Sequence, residues 1–190
     1  MSQTRFAFVK AQWHADIVDR AFAGFQDSLG GEAIDVFDVP GALELPLMAL
    51  KLAATGRYDA IACCAFVVDG GIYRHDFVSS AVVDGLVRVG LDSGIPILSV
   101  VLTPHHYQET EHHTAIFRDH FYSKGQEAGQ GARVVVDAHK QIQFWPQSRA
   151  QTQIISVKQA CLVHQAIRQK TSVNRRHSAP KTPTSWTGCR

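Results

Sequence analysis

The chain has 190 residues, of which 45% are hydrophobic and 19% charged, with a formal net charge of +2. That balance suits a globular α/β domain with a sizeable core. No apolar run approaches the eighteen or so residues of a membrane-crossing helix, and residues 1–20 lack the regions of a signal peptide, so no membrane association and a cytoplasmic location are expected.

Arg5-Phe6-Ala7-Phe8-Val9-Lys10 reads as a short apolar strand, and His14 to Leu29 places Ile17, Val18, Ala21, Phe22, Phe25 and Leu29 at helical spacing. Gly30-Gly31 ends that helix, and AIDVFDV alternates as a second strand should. Pro40-Gly41 turns the chain, and Pro46 suits the first turn of a helix running to about Ala54. Ala60 to Val68 is continuously apolar, the pattern of a strand buried on both faces of a parallel sheet. Asp76 to Leu91 is predicted helical, Gly94 ends it, and Ile95 to Leu102 makes a fourth strand. A histidine-rich helix is predicted from about His106. Strands alternating with helices imply right-handed crossovers. The fold class expected is α/β, a three-layer αβα sandwich with a four-stranded parallel sheet, flavodoxin-like.

The four cysteines are Cys63, Cys64, Cys161 and Cys189, with no CxxC among them. Adjacent residues on a strand point to opposite faces, so Cys63 and Cys64 read as buried reduced thiols. All 17 acidic residues lie at or before Asp137, whereas nine of the 19 Lys and Arg lie beyond it. The segment after about Trp145 is also rich in Gln, Ser, Thr and Pro, the composition of a disordered basic extension. Its aromatic residues are too few for a stacking platform, so no nucleic-acid partner is expected.

In open parallel sheets ligands bind beyond the carboxyl ends of the strands. Here those ends are followed by Gln12-Trp13-His14, by Pro40-Gly41-Ala42-Leu43-Glu44, by Asp69 to His75, and by Thr103-Pro104-His105-His106. Glycines where a strand turns into a helix let backbone N–H groups face an anion, and an arginine there adds paired donors, although a plain turn fits equally well. Trp13 either stacks on a flat heterocycle or lids its helix. Glu44 either caps a helix start or accepts hydrogen bonds from sugar hydroxyls. His105, His106, His112, His113 and His120 fall within sixteen residues, but no HExxH occurs and no pair is four apart, so no metal is expected. His106, His113 and His120, seven apart, share a helix face.

The ordered set FVKAQWH, VPGALELP, AFVVDGGIYRHDFV, GIPILSVVLTP and Lys124-Gly125 resembles the lumazine synthase family over about residues 5–128. It is most similar to the second class, in which GGIYRHDF replaces the commoner GETxHF/YD. The resemblance implies a transferase of riboflavin biosynthesis. Such an enzyme condenses 5-amino-6-(D-ribitylamino)uracil with 3,4-dihydroxy-2-butanone 4-phosphate to 6,7-dimethyl-8-ribityllumazine, losing phosphate and water and using no cofactor. The alternative is a flavin- or lumazine-binding protein on the same scaffold with little turnover. The two small substrates are the implied partners, together with self-association into pentamers, commonly paired as decamers.

By the same resemblance Trp13 stacks on the pyrimidinedione, Ala42, Leu43 and Glu44 contact the ribityl chain and ring, and Phe66, Val67 and Val68 read the ring's edge. Gly71 and Ile72 bind the butanone phosphate through main-chain N–H groups. Ser99 stands where the common class has a phenylalanine reaching into a neighbouring subunit's pocket. Arg74 falls at the position of the family's catalytic histidine, with His75 beside it as a possible acid or base, and His113 falls at the position of its phosphate-binding arginine. Asp69 replaces the usual arginine before the glycine, which makes the local field less positive. Arginine stays protonated at working pH, so an electrostatic role is expected for Arg74.

Three parts are expected: a synthase-like α/β domain over 1–130, an atypical segment over 131–145, and a disordered basic tail over 146–190. Gly129, Gly131 and Val134-Val135-Val136 disfavour helix, so the last helix of the domain is expected to be shortened, with residues after about Trp145 mobile.

Overall fold

A computed structural model describes residues 3–70 and 74–144 of the chain. The elements are β1 (Arg5–Ala11), α1 (Ala15–Leu29), β2 (Ala33–Val39), a short 3-10 turn (Ala42–Glu44), α2 (Leu45–Ala53), β3 (Ala60–Phe66), α3 (His75–Ser93), β4 (Ile97–Leu102) and α4 (Glu111–Phe144). The strands form one sheet in the order β2-β1-β3-β4, and every pairing is parallel. All seven residues of β3 are buried, as its unbroken apolar run requires of a central strand.

Strand side chains alternate between the two faces, and each face has its own core. Ala7, Val9, Ile61, Cys63 and Val101 pack with Leu45, Ala49, Val82 and Leu86 of α2 and α3. Phe6, Phe8, Ala62, Cys64 and Phe66 pack with Ile17, Phe25, Phe121 and Val136 of α1 and α4. The sandwich thus has its three layers, and the neighbours Cys63 and Cys64 enter opposite cores as free thiols. Burial pushes the Cys63 thiol up to about 12, so it stays protonated at neutral pH and acts as a small apolar side chain.

The expectation of a shortened last helix is overturned. α4 runs unbroken for 34 residues, through Gly129, Gly131 and the valine run, and through the stretch 131–144 that composition set apart. Gly125 and Gly129, one turn apart, lie against the backbone of α1. A Cβ on Gly125 would stand 1.9 Å from the Ala21 carbonyl oxygen, and one on Gly129 would stand 1.9 Å from Ser28 Oγ. Gly24 completes the contact from α1, since its Cβ would stand 2.0 Å from the Tyr122 carbonyl oxygen. These glycines allow close approach; they do not break the helix. Farther along, Ala132 and Val136 are buried, Arg133 donates to the Leu29 carbonyl (2.8 Å) and pairs with Glu32 (2.7 Å), and Lys140 donates to Thr4 Oγ1 (2.9 Å). Burial and these anchors outweigh a propensity deficit of about 1 kcal/mol per glycine and less per valine. The helix also begins later than expected, at Glu111, because His106 adopts a left-handed φ of 55° that a helix cannot continue.

Among the described residues no helix is long and apolar enough to cross a membrane. Residues 145–190, with Cys161 and Cys189, lie outside the described part, and so does the expectation of a mobile tail.

The crossing of α1 and α4 generates a paired test. Gly125→Ala should lower stability by about 1–3 kcal/mol despite alanine's better helix propensity, because two backbones must separate. Gly131→Ala, where a Cβ meets nothing within 4 Å, should raise it by about 0.5–1 kcal/mol. Chemical denaturation of the two variants beside the parent measures both.

Candidate active site

Because all four strands are parallel, their carboxyl ends lie along one edge of the sheet. Gln12 N–H donates to the Val39 carbonyl (2.9 Å), which holds the exits of β1 and β2 together. Trp13 follows with 72% of its surface exposed, so it does not lid its helix. His14 is left-handed (φ 55°), and its carbonyl accepts the N–H groups of Ile17 and Val18 to open α1. Its ring meets Phe66 and Tyr107 edge-on, at 5.4 and 5.9 Å. His14 and His106 are the non-glycine residues with positive φ among those described, a conformation costing on the order of 1 kcal/mol or more, and each follows a strand that ends at this edge.

At the end of β2, the Gly41 N–H donates to Glu44 Oε2 at 2.9 Å. The Trp13 ring lies beside Gly41, where an added Cβ would be 3.7 Å from Trp13 Cε3. Trp13, Gly41 and Glu44 are therefore contiguous. Glu44 caps its turn through one oxygen, and among the described residues Oε1 has no hydrogen bond. Ala42 is buried beneath this group, and Leu43 is 60% exposed beside it.

At the end of β3, Phe66 is buried with its ring among His14, Tyr107, Phe117 and Phe121. The Val67 N–H is occupied by the Leu102 carbonyl (2.9 Å), and Val68 is half-buried. Asp69 Oδ1 then accepts the backbone N–H of His75 at 3.1 Å and lies 2.8 Å from its Nδ1. The ring bond first, and the backbone bond second, hold the Asp69 carboxyl below its usual range. Arg74 flanks the start of α3. Its guanidinium contacts Asp76 at 2.5 Å and sits 4.7 Å over the Phe77 ring, with 68% of the side chain exposed. Such an exposed pair contributes about 0–1 kcal/mol, so a phosphate dianion can displace the carboxylate. Gly71 and Ile72, expected to bind phosphate, lie outside the described residues.

At the end of β4, the His105 ring faces the His75 ring at 6.4 Å. His113, in the first turn of α4, accepts the Gln108 N–H on Nδ1 (3.3 Å) and packs near Tyr107 and Phe117. With Nδ1 accepting, a neutral His113 carries its proton on Nε2. Ser99 is not part of this assembly. It sits mid-strand beside Cys63, on edge strand β4, in a concavity of about 220 Å³ shared with Leu98, Lys124, Glu127 and Gly131. Among the described residues no three His, Cys, Asp or Glu are placed to hold a metal ion.

The structure thus gathers Trp13, Ala42, Leu43 and Glu44 into one group, Arg74 and His75 into a second, and leaves Ser99 apart. Sequence reasoning gave Asp69 no role beyond its charge. The available signal was a carboxylate six residues before a histidine, with Gly70 and Gly71 between them in the sequence.

The family model described as 6,7-dimethyl-8-ribityllumazine synthase matches residues 3–140. A Rhodococcus erythropolis protein named 6,7-dimethyl-8-ribityllumazine synthase is 52% identical over 141 residues, covering 72% of this chain and 91% of the relative. A Pseudomonas syringae pv. tomato protein named 6,7-dimethyl-8-ribityllumazine synthase 2 is 50% identical over 129 residues, covering 65% and 76%. A protein of the same name from Bradyrhizobium diazoefficiens is 46% identical over 129 residues, covering 66% and 78%.

The bonded Asp69 carboxylate carries a pH signature. A depressed carboxyl value contributes stability that is present above the unfolded value of about 4 and is lost as pH falls through the folded one. The stability gap between the parent and Asp69→Asn should therefore be present at pH 7 and close on acidification below about pH 4. Urea denaturation at the two pH values checks this.

Proposed function

The chain belongs to the 6,7-dimethyl-8-ribityllumazine synthase family, and we propose that it performs the reaction of that name. It condenses 5-amino-6-(D-ribitylamino)uracil with 3,4-dihydroxy-2-butanone 4-phosphate and expels phosphate and water. The observation that carries this reading is the pairing, on one sheet edge, of an exposed indole beside a carboxylate with a cationic corner at the start of α3.

In this reading the pyrimidinedione stacks on Trp13, whose open face supplies area without rearrangement. Glu44 Oε1 is available to ribityl hydroxyls while Oε2 holds Gly41. Ala42 and Leu43 shape the wall beside them, and the segment Phe66 to Val68 borders the ring's edge. The ketone phosphate lies at the corner of Gly71, Ile72 and Arg74, with His113 offering an Nε2–H donor. The aryl amine attacks the ketone, a Schiff base forms, phosphate leaves and the ring closes. Holding both reactants in place can supply several kcal/mol of the barrier, up to about 7 or more. Arg74 cannot act as a base, and its part is to orient the phosphate and stabilise the charge that develops as it leaves. A protein that only bound flavin would have no use for this corner.

The assembly proposed is a pentamer, paired as a decamer, in the cytoplasm. Ser99, apart from the strand-end group in its own chain, then faces the Trp13 of a neighbouring copy. Sedimentation should find turnover only in the oligomer, and an active monomer would overturn this assignment.

Arg74→Ala should lower turnover and weaken butanone phosphate binding about 10- to 100-fold, the loss of a charge-assisted hydrogen bond. Pyrimidinedione binding should survive. Arg74→His should keep part of the activity, since it restores the commoner family residue. Lumazine formation followed optically, with titration of each substrate separately, reads these outcomes, and a parent-like Arg74→Ala would remove Arg74 from the mechanism.

A further inference from the structure

We infer that Asp69 is a positioning residue that makes His75 the proton acceptor of the site, a proposal that rests on the synthase reading above. Three observations carry it. A carboxylate at neutral pH can only accept hydrogen bonds, so the Nδ1 of His75, 2.8 Å from Asp69 Oδ1, must carry a proton. In the neutral ring this leaves a lone pair on Nε2, the arrangement required of a general base. The same Asp69 oxygen accepts the His75 backbone N–H, so ring and main chain are gripped together at the start of α3. Finally, the His75 side chain is only 20% exposed, which restricts the ring to few orientations.

His113 is held in the opposite sense. Its Nδ1 accepts the Gln108 N–H, so its neutral form donates from Nε2. One histidine is set to take a proton and the other to give one, and Arg74 stands at the start of α3 beside the first. Arg74 is always charged, so proton removal falls to His75.

The step is an elimination. Once the amine has condensed with the ketone, Nε2 of His75 takes the proton from the carbon between the imine carbon and the phosphorylated carbon. The C–H electron pair becomes the new C=C bond, the bond from carbon to phosphate oxygen breaks, and phosphate leaves with that pair. The enol so formed gives up its O–H proton and takes one on its terminal CH2, becoming a methyl ketone. The ribitylamine nitrogen adds to that carbonyl, its N–H proton passing to the new hydroxyl. The imidazolium returns its proton to that hydroxyl, which leaves as water, and the pyrimidine N–H proton goes to the departed phosphate. Among the described residues the titratable groups against the His75 ring are Asp69, from the segment after β3, and His105, from the loop after β4, while its chain neighbours Arg74 and Asp76 pair with each other.

The test uses the full chain and both substrates, with kcat measured from about pH 5 to pH 9. His75→Gln should lower kcat about 100-fold and remove the acidic limb of the profile, with KM for the butanone phosphate within about twofold of the parent. Asp69→Ala should lower kcat about tenfold, Asp69→Glu should restore part of it, and the Asp69→Ala/His75→Gln double variant should be no slower than His75→Gln. A readout independent of turnover is the nitrogen NMR spectrum of His75. It should show the Nδ1-protonated tautomer in the parent and lose that preference in Asp69→Ala. If His75→Gln keeps the parental kcat and acidic limb while Arg74→Ala does not, the synthase reading stands and the role of His75 falls. If the tautomer is unchanged in Asp69→Ala, Asp69 does not position His75. If the parent makes no lumazine, the synthase reading fails, and with it the assignment of His75 as the acceptor.

Discussion

β1 is hydrogen-bonded in parallel along both edges, to β2 and to β3, and the rest of the structure depends on that double pairing. It forces each strand to exit where its neighbours exit, so four connections of unrelated sequence deliver their side chains to one edge. It also demands helical crossovers, because a parallel strand cannot be reached through a tight turn. Those helices bury both faces of the sheet, which is why β3 can be apolar throughout and why two adjacent cysteines can face separate cores. A reversed strand would carry its functional end to the opposite edge, and no side-chain substitution would restore it.

Where backbone pattern alone decides, the fold was legible in the sequence. β2 lies at AIDVFDV because its alternation matches a strand with one neighbour, and the family's motifs resemble this chain because they mark strand exits. What local propensity could not show was α4. Gly129 and Gly131 read as helix breakers when each residue is weighed alone, yet at Gly129, as at Gly125 one turn before it, only a residue without a Cβ lets α4 lie against α1. The information lies in the pairing with Gly24, about a hundred residues earlier, and no local window contains both. The late start of α4 has the same character, since the left-handed turn at His106 is set by the path of the loop.

The candidate site divides in a similar way. Residue types at the strand ends were readable because direction follows from topology, and the resemblance put Arg74 and His113 at named positions. Hydrogen-bond partners were not readable. Asp69 looked like a negative charge that weakens a positive corner, yet its charge is directed at His75, two bonds to one oxygen. Arg74 is engaged by Asp76 and by the Phe77 ring, so in this chain by itself the arginine is held rather than free. Such pairings turn on angles and distances of a few ångströms that spacing along a chain does not fix.

Exposure governs how strongly these charges act. Trp13 and Leu43 stand 72% and 60% exposed in one group, and in the other Phe77 stands 66% exposed beneath the guanidinium of an ion pair that is itself open to water. At that exposure Coulomb attraction is near its aqueous value, about 1 kcal/mol at 4 Å, and a guanidinium there stabilises a neighbouring anion only weakly. Covering the same groups raises the interaction several-fold with no change in their positions, because the effective dielectric falls. In the proposed reaction a pyrimidinedione stacked on Trp13 would supply part of that cover, and the exposed apolar side chains suit a second surface laid over them. The energetic strength of the corner is therefore a property of the covered site: the chain contributes the charges and their orientation, and what closes over them sets their weight.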